Sequence, residues 1–247
     1  MLKKSAAALF VISGVSVGAA PAYAIPDVAL EQYAFVIDGV LSHYTTAGGT
    51  LGGAPAGVDL SGFAPGSVAS QDTGLGIIEI SVSGPGPHYV GLFVDHEFSE
   101  LANTFFNEEG ADSGGPLGAG QSWEIDDPDV GPTCDPGGSG FNCILGDLSV
   151  SSLLNTNFIA GMVTDVSMAM ACDFTLGVDE SAVISFTISD VSPTGGFFLR
   201  HNDEATEEAI FLSGHVSITS VPEPGTLALF GAGLLAFGGL RRSLRGA

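Results

Sequence analysis

The sequence predicts an all-β fold, an antiparallel β-sandwich of jelly-roll or immunoglobulin-like type, on three observations. Its 36 glycines and 13 prolines in 247 residues follow no three-residue period, which favours many short elements joined by turns over long helices. Apolar and polar residues alternate over at least seven separate runs, the pattern of half-buried strands. With 45% hydrophobic residues and a mean hydropathy of +0.39, the chain also has the apolar material for a core.

The first element is an address rather than part of the fold. Lys3 and Lys4 precede an apolar run from Ala6 to Ala20, and Ala22-Tyr23-Ala24 supplies the small residues that signal peptidase reads. Residues 1–24 are therefore expected to be a secretory signal peptide, and residues 25–221 one acidic extracellular domain, long enough to bury roughly 70% of its unfolded surface. Within it, Tyr33, Phe35, Ile37, Gly39 and Leu41 alternate with Ala34, Val36, Asp38 and Val40 as one strand, and Thr45 to Ser70 reads as a Gly/Pro-rich loop. Ile77 to Ser83 and His88 to Asp95 read as a hairpin across Gly84-Pro85-Gly86-Pro87. From Glu97 to Glu109 the spacing of Phe98, Leu101, Ala102 and Phe105 is that of a short helix or helical turn.

Ser122 to Asp126 is a short strand through Trp123. Along Asp165 to Leu176, the residues Val166, Met168, Met170, Cys172, Phe174 and Leu176 form one face, and Gly177 to Glu180 turns the chain into a return strand through Ala182, Ile184, Phe186 and Ile188. Strands at Phe197 to Arg200 and Ile210 to Thr219 complete the domain, separated by the acidic stretch Asn202 to Glu208.

After Val221 the character changes. Pro222-Glu223-Pro224 is followed by an uncharged apolar stretch from Gly225 to Leu240, then by Arg241, Arg242 and Arg245. A helix of that stretch would span about 24 Å, marginal for a bilayer core of roughly 30 Å, and the arginines would stay cytoplasmic, leaving the domain outside. Residues 222–247 closely resemble the PEP-CTERM sorting signal of Gram-negative bacteria. The resemblance implies transient anchoring in the inner membrane by a transmembrane helix, processing by an exosortase-like membrane protease, and delivery to the cell surface or exopolysaccharide matrix. The stretches Gly91 to Glu97, Asn103 to Glu108, Gly120 to Asp126 and Asp165 to Leu176 are further similar to a group of uncharacterised PEP-CTERM proteins, which implies a shared exported domain and no activity.

Charge narrows the partners. Against 28 Asp plus Glu stand 6 Lys plus Arg, a formal net charge of -22, which excludes nucleic acid as a natural partner. All the acids except Glu223 fall in the domain, whose one basic residue is Arg200, so the exported part is more acidic than the chain.

Asp126, Asp127 and Asp129 crowd a loop with Pro128 and Pro132, where carboxylates and backbone carbonyls could supply the six to eight oxygens of a Ca²⁺ ion, although the spacing is not that of an EF-hand. Calcium is the one cofactor this reading admits. Cys134 and Cys143 flank a Gly-rich loop able to bend back and, in an exported chain, are expected to pair; Cys172, on an apolar strand face, reads as a buried thiol, with pairing to Cys143 as the alternative.

Asp112-Ser113-Gly114-Gly115-Pro116-Leu117 copies most of a chymotrypsin-type nucleophile motif, but its first glycine is replaced by Ala111 and His43 lies too close upstream. His88 and His96 are too far apart on one strand to share a metal, and Glu108 and Glu109, adjacent in sequence, do not define a glycosidase pair. The expected function is thus a non-enzymatic structural or adhesive surface protein associated with exopolysaccharide. The alternative is a carbohydrate-binding module or polysaccharide-active enzyme, calcium-stabilised.

Overall fold

The computed structural model describes residues 28–45, 54–63, 73–98, 106–127 and 144–220. The signal peptide with Ala22 and Ala24, the loop bearing Asp129, Cys134 and Cys143, and the tail with Pro222, Glu223, Pro224, Arg241 and Arg242 lie outside the described residues. In chain order the elements are β1 (Val28–Ile37), β2 (Val40–Thr45), β3 (Val58–Asp59), β4 (Gly76–Ser83), β5 (Gly86–Phe98), β6 (Glu108–Asp112), β7 (Gln121–Asp126), α1 (Ile144–Ser149), β8 (Thr156–Asn157), β9 (Ser167–Leu176), β10 (Glu180–Ser189), β11 (Leu199–Asp203) and β12 (Ala209–Ser220). They form two six-stranded sheets, β2-β1-β5-β9-β7-β8 and β3-β4-β10-β12-β11-β6, antiparallel throughout except for β7 and β8. The predicted sandwich is the observed architecture.

Alternation explains how the layers close. Phe35 and Tyr33 of β1, Val90, Leu92 and Val94 of β5, and Met168, Met170 and Cys172 of β9 point to the same core as Ile78, Ile80 and Val82 of β4 and Ile184, Phe186 and Ile188 of β10. The opposite face of the first sheet is covered as well: Ile144, Leu145 and Leu148 of α1 pack on Ala34, Val36, Phe93, Ala169 and Ala171. Both faces of β9 are therefore dry from Ser167 to Cys172, and Cys172 is a free, fully buried thiol whose pKa burial pushes up to about 12.

Three sequence expectations are corrected. Tyr33 to Leu41 is not one strand but a hairpin, turned by Asp38 and Gly39 at φ 49° and 79°. These are the two positive angles of a type I′ turn, for which Asp-Gly is a preferred pair. The predicted hairpins at Gly84 to Pro87 and Gly177 to Glu180 are crossovers between sheets, since β4 pairs with β10 while β5 pairs with β1 and β9. The apolar faces of each connected pair meet across the core, not side by side. Finally, Glu97 and Phe98 end a thirteen-residue strand and Glu108 and Glu109 begin another, so neither end of the expected Glu97–Glu109 helix is helical. The described helix, α1, is one the periodicity did not predict.

One backbone contact sets a sharp test of this packing. Gly120, at φ +71°, accepts the N–H of Asp173, and a Cβ at residue 120 would overlap the Asp173 carbonyl oxygen. Gly120→Ala is expected to cost about 1–3 kcal/mol by thermal melting, because both the angle and the overlap lie in the backbone, where no side chain can yield. An unchanged melting temperature would refute the β7–β9 register.

Candidate functional site

The chemistry of the domain gathers at the far end of β5, where alternation sends Asp95 and Glu97 to the outer face of the sheet and His96 and Phe98 to the core. Asp95 is registered with Ser167 of β9, and Ser167 with Asp126 of β7, so one row crosses three strands on the outer face. The Ser167 hydroxyl donates to the Asp126 carbonyl oxygen at 2.9 Å. Beyond that row stand Glu97 and Asp165, which join Asp95 in a group whose carboxylate oxygens lie within 4.8 Å of one another. A bulge between Leu30 and Gln32 of β1 inserts Glu31 beside them.

Asp95 is 2% exposed, and its Oδ1 has no hydrogen-bond partner. Burial, then Asp165, Glu97, Glu108 and Glu31, hold its pKa well above the ordinary carboxylate value. Two ionised carboxylates at this separation repel by roughly 3 kcal/mol at an effective dielectric of about 20.

On the same face, nearer α1, Glu124 is fully buried and its Oε2 accepts the N–H of Leu154 at 3.1 Å, while burial and then the charges of Asp147 and Asp126 raise its pKa to about 8. Of the residues expected to bind calcium, Asp126 is buried at the end of β7, its Oδ1 accepting the Asp127 N–H at 2.9 Å, and Asp127 accepts the Thr164 hydroxyl at 3.3 Å. The sequence cluster thus reaches toward the Asp95 group through Ser167 without sharing its oxygens.

Across the sheet, on the core side, Glu108 Oε2 and His201 Nε2 lie 2.6 Å apart, each side chain 1% exposed. Burial raises Glu108 to about 8 and lowers His201 to about 3, so at neutral pH an un-ionised acid donates to a neutral imidazole. Phe98 caps the imidazole edge-on, with centroids 4.9 Å apart. His96 is also fully buried, and burial followed by His201 lowers its pKa to about 3, so it supplies no positive charge to the acids. The structure sets Glu108 apart from its sequence neighbour Glu109, which their adjacency could not reveal.

The remaining sequence motifs resolve into structure. The Ser113 hydroxyl oxygen accepts backbone N–H groups of Phe198 and Gly115, while His43 sits in the other sheet with its Nε2 3.0 Å from the Gln32 side-chain oxygen. His88 Nδ1 lies 2.9 Å from Asp38 Oδ2 and its Nε2 2.9 Å from the Gly84 carbonyl, tying the β1–β2 turn to the β4–β5 crossover.

Residues 220–242 match the family model of the PEP-CTERM protein-sorting motif. No curated protein and no solved structure matches the chain. No helix among the described residues is long and apolar enough to cross a membrane, and the apolar stretch Gly225 to Leu240 lies outside them.

Proposed function

We propose that this chain, whose PEP-CTERM motif implies an exported protein sorted by an exosortase, delivers a non-enzymatic β-sandwich to the exopolysaccharide-bearing cell surface, where it serves a structural or adhesive role. The observation that carries the reading is the junction: β12 ends at Ser220, and the matched motif begins at that residue. Whatever holds the C-terminus acts directly on β12, an interior strand registered with β10 over Glu180↔Ser220 through Ser189↔Phe211. A pull along such a strand loads its perpendicular hydrogen bonds together, which suits an anchored head group.

The second reading, a carbohydrate-binding module or polysaccharide-active enzyme, draws on the carboxylate-rich outer face. A glycosidase acid must touch the glycosidic oxygen. The carboxyls with the most perturbed protonation, Asp95, Glu108 and Glu124, are instead sealed from solvent at 2%, 1% and 0% exposure, which favours a structural role.

In the native host, Pro222→Ala with Glu223→Ala is expected to leave a longer chain retained in the membrane fraction, read by immunoblot and intact mass. Unchanged size and unchanged surface release would refute the sorting reading. Release of reducing sugar from host exopolysaccharide would establish the enzyme, glycan-array binding without release the module, and neither result is expected to appear for a structural protein.

A further inference from the structure

We propose that Asp95, Glu97 and Asp165 form a calcium site on the outer face of the first sheet, tying the end of β5 to the segment that enters β9. The site is separate from the Asp126–Asp129 loop and does not rest on the sorting reading.

Three acids near one another prove nothing alone. The second observation is Asp95 itself: a carboxylate 2% exposed whose Oδ1 has no hydrogen-bond partner and which belongs to the converging group. A buried acceptor is nearly always satisfied, and one left open inside a cluster of like charge calls for a positive ligand. The described residues offer none. Arg200 is the only Lys or Arg between Lys4 and Arg241, and it lies on β11 in the other sheet, registered with Ala111 and Phe211. His96, adjacent in sequence to two of the three acids, points to the core. Among the described residues, then, compensation is left to a bound proton or to a cation taken from solution, and a cation also joins the two neighbouring acids.

The donor set selects the ion. All three donors are carboxylate oxygens, with no thiolate or imidazole among them, which favours a hard cation over zinc or copper. Three oxygens within 4.8 Å of one another surround a point no more than about 2.8 Å from each, close to a Ca²⁺–oxygen distance of about 2.3–2.6 Å, so a small side-chain adjustment seats one calcium among all three. Magnesium, at about 2.1 Å and with strict octahedral geometry, sets adjacent oxygens only about 3 Å apart and so makes a tighter demand on the group. Carboxylates can bind calcium through both oxygens, and water can complete the six to eight ligands on the partly exposed side of Glu97 and Asp165.

The test is calcium titration of the full-length chain, purified in non-ionic detergent and stripped with EGTA, followed by calorimetry and thermal melting. The expected result is binding of one calcium at the site and a melting temperature raised by about 4 °C when Ca²⁺ stands about tenfold above its Kd, with a smaller response to the same concentration of Mg²⁺. Asp165→Asn, at a partly exposed position and conservative in shape, is expected to weaken calcium binding at least about tenfold, and Asp95→Asn likewise. Asp126→Asn with Asp127→Asn is expected to leave it intact. Absence of any calcium response, a response that survives Asp95→Asn with Asp165→Asn, loss of the response only in the Asp126/Asp127 variant, or an equal magnesium response would each overturn the assignment.

Discussion

His201→Ala is expected to destabilise the domain by about 3–5 kcal/mol in denaturant unfolding, while Glu108→Gln costs much less. The two variants remove different halves of one buried hydrogen bond. With Glu108 raised to about 8 and His201 lowered to about 3 by burial, the pair is un-ionised at pH 7 and the acid's O–H donates to Nε2. Alanine at position 201 leaves that acid without its acceptor and opens a void beneath Phe98, in a site only 1% exposed to solvent. Glutamine in place of Glu108 keeps the shape and can donate its amide N–H to the same nitrogen. Were the pair an ionised carboxylate with an imidazolium, the Glu108→Gln change would instead strand a buried positive charge, and the two variants would lose similar amounts. Equal losses would therefore refute the neutral assignment. Replacing both residues by leucine is expected to be close to neutral, since apolar side chains of similar volume often match a buried polar pair.

The contrast between Glu108 and its neighbour Glu109 marks where sequence reading stops. Alternation was legible wherever one face was buried: Met168, Met170 and Cys172 lie on the core face, as their spacing predicts. It failed at Asp38-Gly39 for a geometric reason. A two-residue turn preserves parity, so Ile37, Gly39 and Leu41 keep the phase of one continuous strand even though the chain reverses between them. The Asp-Gly pair itself was the available signal. Gly84 to Pro87 and Gly177 to Glu180 failed differently, because turn chemistry announces a reversal without stating whether the next strand pairs in the same sheet or faces it across the core. The acid cluster needed that missing information: Asp95 and Asp165 converge only through the β5–β9 register, whereas Asp126, Asp127 and Asp129 are conspicuous because they are sequence neighbours. Glu31 enters by a bulge, which shifts register and leaves no periodic trace.

The same buried acids predict an inverted pH profile. In EGTA, stability is expected to fall as pH rises from about 6.5 to about 8, by about 2 kcal/mol from Glu108 alone at about 1.36 kcal/mol per pH unit. Its pKa is raised on folding from 4.5 to about 8, so between those values the native state holds a proton that the unfolded chain has released, and each step upward in pH favours unfolding. The groups facing it are His201, whose pKa is lowered, Asp203, whose negative charge opposes its ionisation further, and Asp95, whose own pKa Glu108 helps to raise. Glu124 contributes with the same sign, raised to about 8, and Asp95 is raised as well. His96 and His201 act in the opposite direction: lowered from 6.5 to about 3, they bind protons in the unfolded chain first, so stability rises with pH between about 3 and 6.5. From 4.5 to 6.5 Glu108 and Glu124 largely offset His96 and His201, with Asp95 adding to the acid side; below 4.5 the two histidines outweigh Asp95, and above 6.5 the acids act without them. Melting temperatures from about pH 3 to about pH 9 should trace a plateau between about 4.5 and 6.5 with losses on both sides. Glu108→Gln should lower the slope of the alkaline limb, Glu124 and Asp95 sustaining the rest, while leaving the acid limb in place. An alkaline limb of undiminished slope in that variant would mean that Glu108 is ionised in the folded protein.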